Sequence, residues 1–444
     1  MDDVKIKKFF IQTMGCPKNE VDSDFIAYSL IEKGYEKADD FRNADIIIVN
    51  TCSFIDDAKE ESIEAVLEFA NAKNNDIKLV LAGCMAEQFG QELLDEIPEV
   101  DAVIGNRNLL QATDRIDKIL SNRNERITQT GGDYDYWYKD SSIQIPDTYP
   151  YAYIKIAEGC DNHCSYCTIP QIRGKYRSLP RNMILHQATG LVQNGFKELI
   201  LIAQDTTDYG KDLYGDHYKL ADLIADLNRI SGDFYIRLMY TNPSKIEQDL
   251  IDAIKLERVI KYLDMPVQHV SDRMLKAMNR NTTFSQIESV IESLKSQIPG
   301  IALRTTLLTG YPGETEADFQ KLVELVESNQ FLHLGAFSYS PQENTIAGKI
   351  SENFDYDKAR EHKEILEFLQ VENYYENNKK LIGNVIKVII DSETVRDGFY
   401  LGRTLYDAPE IDREVKLQGK AEPGDIVDGL ILRTFEYKIL GTII

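Results

Sequence analysis

Apolar runs and amphipathic stretches alternate along most of the chain. Lys8–Thr13, Asp45–Asn50 and Lys78–Ala82 are short apolar runs, and helical patterns follow them. In Asp56–Ala72, residues Ile63, Val66, Leu67 and Ala70 take the i, i+3, i+4, i+7 spacing of one helix face. Strands that alternate with helices imply crossover connections, so residues 1–140 predict a parallel-sheet α/β domain.

Thr128–Pro150 breaks this pattern with Gly131-Gly132, two prolines, several tyrosines and the single tryptophan, Trp137. It reads as a linker in which Trp137 packs on a neighbouring domain. The alternation resumes over residues 141–378. Strand candidates there are Ala152–Ala157, Leu199–Ala203, Tyr235–Tyr240, Tyr262–Val267, Ile301–Leu308 and Leu334–Tyr339. Six βα units predict a partial (β/α)6 barrel rather than a closed eight-fold one. A long charged helix, Lys358–Lys379, ends the block. Residues 379–444 change to short β-rich runs punctuated by Gly and Asp: Asn384–Ile390, Gly398–Leu401, Glu414–Leu417, Asp425–Leu432 and Tyr437–Ile443. They predict a small antiparallel β-barrel. The fold class is α/β, in three domains.

Composition narrows the function classes. With 43% hydrophobic and 28% charged residues over 444 positions, the chain is globular. Acidic residues outnumber basic ones 73 to 50, for a net charge of −23. That excludes a surface that is everywhere a trap for nucleic acid, and it permits a basic partner. No window approaches about 18 consecutive apolar residues, so no membrane span is expected. The opening MDDVKIKKFF lacks the apolar core of a signal peptide. Six cysteines in such a chain point to metal or redox chemistry, and to the cytoplasm.

The cysteines form two sets. Cys160, Cys164 and Cys167 lie in EGCDNHCSYCTIP, a Cys-x-x-x-Cys-x-x-Cys loop that follows the first strand of the central block. Soft thiolates at this density select an iron–sulfur cluster, zinc or copper(I). Structural zinc needs a fourth ligand, and His163 reads better as an exposed loop residue than as that ligand. Cys16, Cys52 and Cys84 each end a separate strand pattern: FFIQTMGC, IIIVNTC and LVLAGC. The carboxyl ends of parallel strands line one edge of a sheet, so these three should converge as a second three-thiolate site. The alternative, three unrelated buried thiols, leaves their shared position unexplained.

The Cys160 loop, on a six-fold βα pattern, resembles the radical S-adenosylmethionine superfamily. There an iron not held by cysteine binds the amino and carboxylate groups of S-adenosylmethionine, and reductive cleavage gives a 5′-deoxyadenosyl radical. Two three-cysteine sites followed by a small barrel resemble the methylthiotransferases of that superfamily, along the whole chain. The third block then corresponds to a TRAM domain. GCPKNEVDSD (15–24), AEGCDNHCSYCTIPQIRGKYRS (157–178), IAQDTTDYG (202–210), YLDMPVQH (262–269) and TGYPGET (309–315) resemble the branch that modifies a small-subunit ribosomal protein. In that branch Arg would follow Ser178, where this chain has Leu179.

The resemblance implies two 4Fe-4S clusters, on Cys160, Cys164 and Cys167 and on Cys16, Cys52 and Cys84. It also implies S-adenosylmethionine as cofactor, an external electron donor, and methylthiolation of an aspartate β-carbon in a basic ribosomal protein. The backbone of Tyr166 is expected at the adenine, with Gln204 and Asp205 near the methionine amino group. Arg304, a charge inside an apolar strand, meets either the cofactor carboxylate or a structural carboxylate. Gly310, Gly313 and Glu314 would shape the cofactor site. Arg173, Lys175, Arg177 and Arg181 form a basic run, either a solvated face or a contact with cofactor or substrate. His269 reads as a polar group at the barrel mouth or a satisfied structural histidine. No general acid or base is implied.

Charge bears on the substrate. Residues 1–140 carry 16 basic and 29 acidic side chains, and residues 379–444 carry 10 and 11. No block is basic, so direct nucleic-acid binding should not dominate, and a basic protein suits the field better than the sister substrate, a modified adenosine in tRNA. A zinc-bearing binding module and a radical methylase using only the Cys160 loop are further alternatives. The second leaves Cys16, Cys52 and Cys84 without a part.

Overall fold

The computed structural model describes residues 6–121, 125–132, 145–351, 354–396 and 398–444. The chain forms two compact units. The first comprises Met1–Pro146, Glu158–Asp161 and Thr168–Leu179; the second comprises Asp147–Ala157, Asn162–Cys167 and Pro180–Ile444.

The first unit is built on a six-stranded parallel sheet. Its strands are β1 (Lys8–Thr13), β2 (Glu36–Lys37), β3 (Ile46–Thr51), β4 (Lys78–Ala82), β5 (Ala102–Gly105) and β6 (Ile127–Gln129), in the order β2-β1-β3-β4-β5-β6. β3 and β4 are buried along their whole length, because helices on both faces leave a parallel strand no polar side. Thr128 and Gln129, expected in a linker, form the edge strand β6, and Trp137 lies outside the described residues. The Asp56–Ala72 helix forms as the periodicity predicts, but it buries Ser62, Val66, Phe69 and Ala70. Ile63 and Leu67 are exposed. Phe69 sets the rotation, with ring contacts to Phe10 and Phe41 at 5.8 and 5.3 Å.

In the second unit, β7 (Tyr151–Lys155) begins the core sheet, and the chain then returns to the first unit as β8 (Ala157–Glu158), which pairs with β9 (Arg177–Ser178). The core sheet continues with β10 (Glu198–Ile202), β11 (Tyr235–Leu238), β12 (Val259–Asp264), β13 (Ala302–Thr309) and β14 (His333–Ser338). All ladders are parallel, in the order β14-β13-β12-β11-β10-β7, so six strands form an open sheet as expected. The helix Tyr356–Lys379 leads into a closed five-stranded barrel of β15 (Val385–Glu393), β16 (Phe399–Thr404), β17 (Glu414–Gln418), β18 (Ile426–Thr434) and β19 (Lys438–Ile443). It is not antiparallel throughout, because β17 and β19 close it through a parallel ladder. Val388, Ile390, Val415, Leu417, Ile431 and Ile439 fill its core.

This barrel is joined to the core sheet by buried charge. Glu198 pairs with Arg237 of β11 and with Arg403 of β16, and all three are fully or almost fully buried. Arg403 also reaches Asp391 at 3.0 Å. Tyr262 donates to Asp412 at 2.9 Å, and Arg413 pairs with Asp407 at 2.7 Å. Such groups stay charged in the interior only when paired. No helix among the described residues is long and apolar enough to cross a membrane.

Candidate metal centres

Cys16, Cys52 and Cys84 stand one after another along the carboxyl edge of the first sheet. β1 aligns with β3 at Thr13 and Asn50, and β3 aligns with β4 at Asn50 and Ala82. A bridge between Thr51 and Gly83 then sets Cys52 and Cys84 on adjacent crossings. Cys16 caps the helix Pro17–Glu32, and Cys84 lies in the first turn of Gly83–Glu96. Helix amino termini favour anionic sulfur.

Two glycines make this approach possible. Gly15 has φ +93°, and a Cβ there would lie 2.6 Å from Cys52 Cβ. Gly83 has φ +96°, and its Cβ would meet the Thr51 carbonyl oxygen at 2.6 Å. Only glycine adopts such a conformation cheaply against a neighbouring backbone. The repeated Gly-Cys step at 15–16 and 83–84 was a legible signal for this, as it was at Gly159, φ +80°, before Cys160.

Asn19 ties the three cysteine-bearing loops together. Its Nδ2 donates to Met14 O at 2.9 Å and to Thr51 O at 3.1 Å, while the Cys84 thiol donates to its Oδ1 at 3.6 Å. Asn50 holds this helix start from below, donating to Asn19 O at 2.7 Å and Ser23 Oγ at 2.9 Å. Ser62 accepts from Cys52 N at 3.0 Å and donates to Cys52 O at 3.2 Å. Local pattern singles out none of the three, because all but one of these partners lie ten or more residues away.

Arg173, expected in a basic run that is either a solvated face or a cofactor or substrate contact, is almost wholly buried in the first unit. Its Nη1 pairs with Glu158 at 2.9 Å and Asp22 at 3.0 Å. Its Nη2 donates to Asn19 Oδ1 at 2.6 Å and to Cys84 Sγ at 3.2 Å. Asn106 Nδ2 donates to the same sulfur at 3.3 Å. Burial, with the neighbouring Cys84 and Cys16 sulfurs, pushes the Cys52 thiol up to about 12, and burial raises Cys84 despite Arg173. The metal-free site therefore holds thiols, whose protons a soft metal would displace.

The second triad occupies one loop. Cys160 N donates to Gly174 O at 3.1 Å, and Cys167 N donates to Cys164 O at 3.1 Å. Residues 162–167 are anchored within the second unit. Ser165 N donates to Met278 O at 3.0 Å, and Ser165 Oγ lies 2.8 Å from the Tyr311 hydroxyl. Arg280 Nη1 approaches Cys164 Sγ at 3.8 Å. His163 is exposed, as expected.

The other candidates fall as follows. Tyr166 packs against the cluster of Met274, Met278, Leu308, Tyr311, Tyr339 and Ala347. Burial, reinforced by Cys164, holds its phenol above the ordinary range. Gln204 is half-buried at the end of β10. Asp205 accepts from Asn162 Nδ2 at 2.7 Å and Lys245 Nζ at 2.8 Å, so it grips the cysteine loop itself. Burial works against its charge, and Lys245 outweighs that and keeps the carboxyl low. Arg304 pairs with Asp264 at 3.2 Å and Asp412 at 3.4 Å, near the amino end of β13. The structural carboxylates weighed in the sequence are thus its partners. Glu314 binds the Thr309 hydroxyl at 2.9 Å and Gly310 N at 3.1 Å, which folds the 309–315 turn on itself. His269 Nδ1 accepts from Val270 N and Ser271 N at 2.8 and 2.9 Å, and its Nε2 lies 3.4 Å from a Glu314 carboxylate oxygen, the structural reading. Leu179 is buried, and Arg181 pairs with Asp226.

Among the described residues, no three Cys, His or carboxylate side chains already stand as a metal-binding group. The fit of a cluster to each site rests on donor chemistry and backbone placement. Three soft thiolates per site, on glycine-permitted loops, suit a cluster with one iron not held by cysteine.

Known proteins share this organisation. Residues 8–105 match an uncharacterized protein family, UPF0004; residues 154–326 match the radical SAM superfamily, and residues 382–444 the TRAM domain. A ribosomal protein uS12 methylthiotransferase RimO from Lachnoclostridium phytofermentans is 42% identical over 442 residues, covering 98% of this chain and 99% of that one. A RimO from Clostridioides difficile is 41% identical over 443 residues, with 98% and 99% covered. Among solved structures, the radical S-adenosylmethionine methyltransferase TsrM from Kitasatospora setae superposes with a TM-score of 0.56 at 15% identity, covering 77% of this chain and 75% of that one. That likeness is one of fold.

Proposed function

This chain belongs to the RimO family of ribosomal protein uS12 methylthiotransferases, and from that membership we propose that it adds a methylthio group to the β-carbon of an aspartate in uS12. The observation that carries the reading is the pair of cysteine triads, one at the carboxyl edge of the first sheet and one on the loop after β7.

An aspartate β-carbon holds no proton that a side-chain base removes at neutral pH, so the hydrogen must leave as an atom, which is cofactor chemistry. When bound, a 4Fe-4S cluster with S-adenosylmethionine supplies the abstracting radical, a second cluster carries the sulfur, and a further S-adenosylmethionine supplies the methyl group. Cys160, Cys164 and Cys167 hold the first cluster, and Cys16, Cys52 and Cys84 the second. Asp205 and Lys245 hold Asn162, and Tyr311 holds Ser165, so the Cys164 and Cys167 segment is anchored before a ligand arrives. The Tyr166 backbone and Gln204 face the cofactor, while Arg304 serves as a structural ion pair between the core sheet and the barrel. Electrons come from an external donor.

The field supports a basic protein substrate. The chain carries −23 overall, and its barrel, residues 379–444, has 10 basic and 11 acidic side chains rather than a basic nucleic-acid surface. A ribosomal substrate places the work in the cytoplasm. The test is anaerobic reconstitution with S-adenosylmethionine and dithionite, offering uS12 and tRNA separately. The product mass should rise by about 46 Da, a methylthio group replacing hydrogen, on uS12. A mark on tRNA with none on uS12 overturns the reading.

A further inference from the structure

Arg173 stands six residues beyond Cys167 in sequence, yet its guanidinium is buried in the first unit beside Cys84. Its four polar contacts divide in two. Nη1 faces the carboxylates of Asp22 and Glu158, which balance the charge, and Nη2 faces Asn19 Oδ1 and Cys84 Sγ. Asn106 Nδ2 gives the same sulfur a second donor, so Cys84 Sγ has two N–H groups within 3.3 Å. Cys52 differs: Ser62 holds its backbone at N and O, and the backbone of Phe54 donates to its sulfur.

We propose that Arg173, with Asn106, is a positioning and tuning residue for the metal centre on Cys16, Cys52 and Cys84, donating to the Cys84 sulfur so as to favour the reduced cluster. The inference rests on the two-cluster reading above. Hydrogen bonds to cluster sulfurs and nearby positive charge lower the energy of the added electron, and both act most strongly where water is excluded. Arginine suits the position because its planar fork serves the carboxylates and the sulfur at once, whereas an ammonium serves only one direction. The segment that follows Cys167 thus contributes, through Arg173, to the outer shell of the centre on Cys16, Cys52 and Cys84.

The test uses the full chain with Cys160, Cys164 and Cys167 replaced by Ala, so that the Cys16, Cys52 and Cys84 centre is observed alone. Reduction is followed by electron paramagnetic resonance against potential. In Arg173→Met the midpoint should fall by at least the equivalent of a tenfold change in the one-electron equilibrium, about 59 mV. Because Arg173→Met leaves Asp22 and Glu158 unbalanced, Asn106→Leu is a neutral second probe, and it should shift the midpoint in the same direction by less. Arg173→Lys should fall between the parent and Arg173→Met. Unchanged midpoints in the folded variants overturn the inference. A parent that binds no cluster at all overturns the two-cluster reading instead.

Discussion

The Asn19 side-chain amide donates to the Thr51 carbonyl at 3.1 Å, joining the helix that starts at Cys16 to the strand end that precedes Cys52. The same amide holds Met14 O at 2.9 Å, and its oxygen lies toward Arg173 and Cys84. One side chain therefore sets the spacing of all three thiols. Asn19→Leu leaves these buried partners unmet, at about 1–3 kcal/mol each. Loss of an outer-shell group of this kind typically lowers metal affinity or activity by about 10–100-fold. We expect methylthio transfer to fall by that order while 5′-deoxyadenosine formation from S-adenosylmethionine persists. Equal loss of both products would contradict a role confined to the Cys16, Cys52 and Cys84 centre.

Gly83 and Gly34 separate crowding from conformation. Both have positive φ, +96° and +85°, but a Cβ at Gly83 lies 2.6 Å from Thr51 O, and none meets an atom within 4 Å at Gly34. Gly34→Ala should cost about 1 kcal/mol of stability, the backbone strain alone. Gly83→Ala should lose more and also lower iron bound at the Cys16, Cys52 and Cys84 centre. Denaturant titration and iron analysis check both, and equal losses for the two variants contradict the close-approach argument.

Glu198 holds two buried guanidinium groups, Arg237 and Arg403, across the seam between core sheet and barrel. Glu198→Gln strands both cations and should destabilise the protein by about 3–5 kcal/mol. Burial works to raise the Glu198 carboxyl, but Arg237 and Arg403 outweigh it and hold it below the usual range. Its contribution is thus present above the unfolded value, about 4.3, and is lost as pH falls through the lower folded value. The Gln variant should therefore lose part of the acid sensitivity of unfolding, and an unchanged acid limb contradicts the pairing.

Asp391 behaves with the opposite sign. Burial pushes it up to about 6, Arg403 pulling down and the Glu198 charge adding to the rise. A raised folded value favours the folded state below the unfolded value, near 4, and that benefit is lost as pH rises through about 6. Asp391→Asn should flatten the fall in stability between about pH 4 and pH 6. A slope identical to the parent's would show that Asp391 ionises freely.

Much of this was legible in the sequence, for identifiable reasons. The parallel strands are continuous apolar runs, so β1 and β4 have the ends expected for them. Cys16, Cys52 and Cys84 were recognisable because each ends such a run. Helix rotation was not legible: the Asp56–Ala72 stripe contains two apolar rows, and only the ring contacts of Phe69 choose between them. Arg173 looked like one charge in a basic run because its balancing partner Asp22 is far away in the chain. The parallel closure of β17 on β19 is a property of barrel topology, which local alternation does not encode. Arg304 fell between two readings, since a strand position states that a charge needs a partner without naming Asp264 and Asp412.

The most direct test of the two-centre account is product analysis of the Cys16→Ala, Cys52→Ala, Cys84→Ala triple variant with uS12 and S-adenosylmethionine under reducing, anaerobic conditions. With Cys160, Cys164 and Cys167 intact, 5′-deoxyadenosine should still form, bound iron should fall by about half, and no gain of about 46 Da should appear on uS12. Methylthiolated uS12 formed at the parent rate would contradict the account.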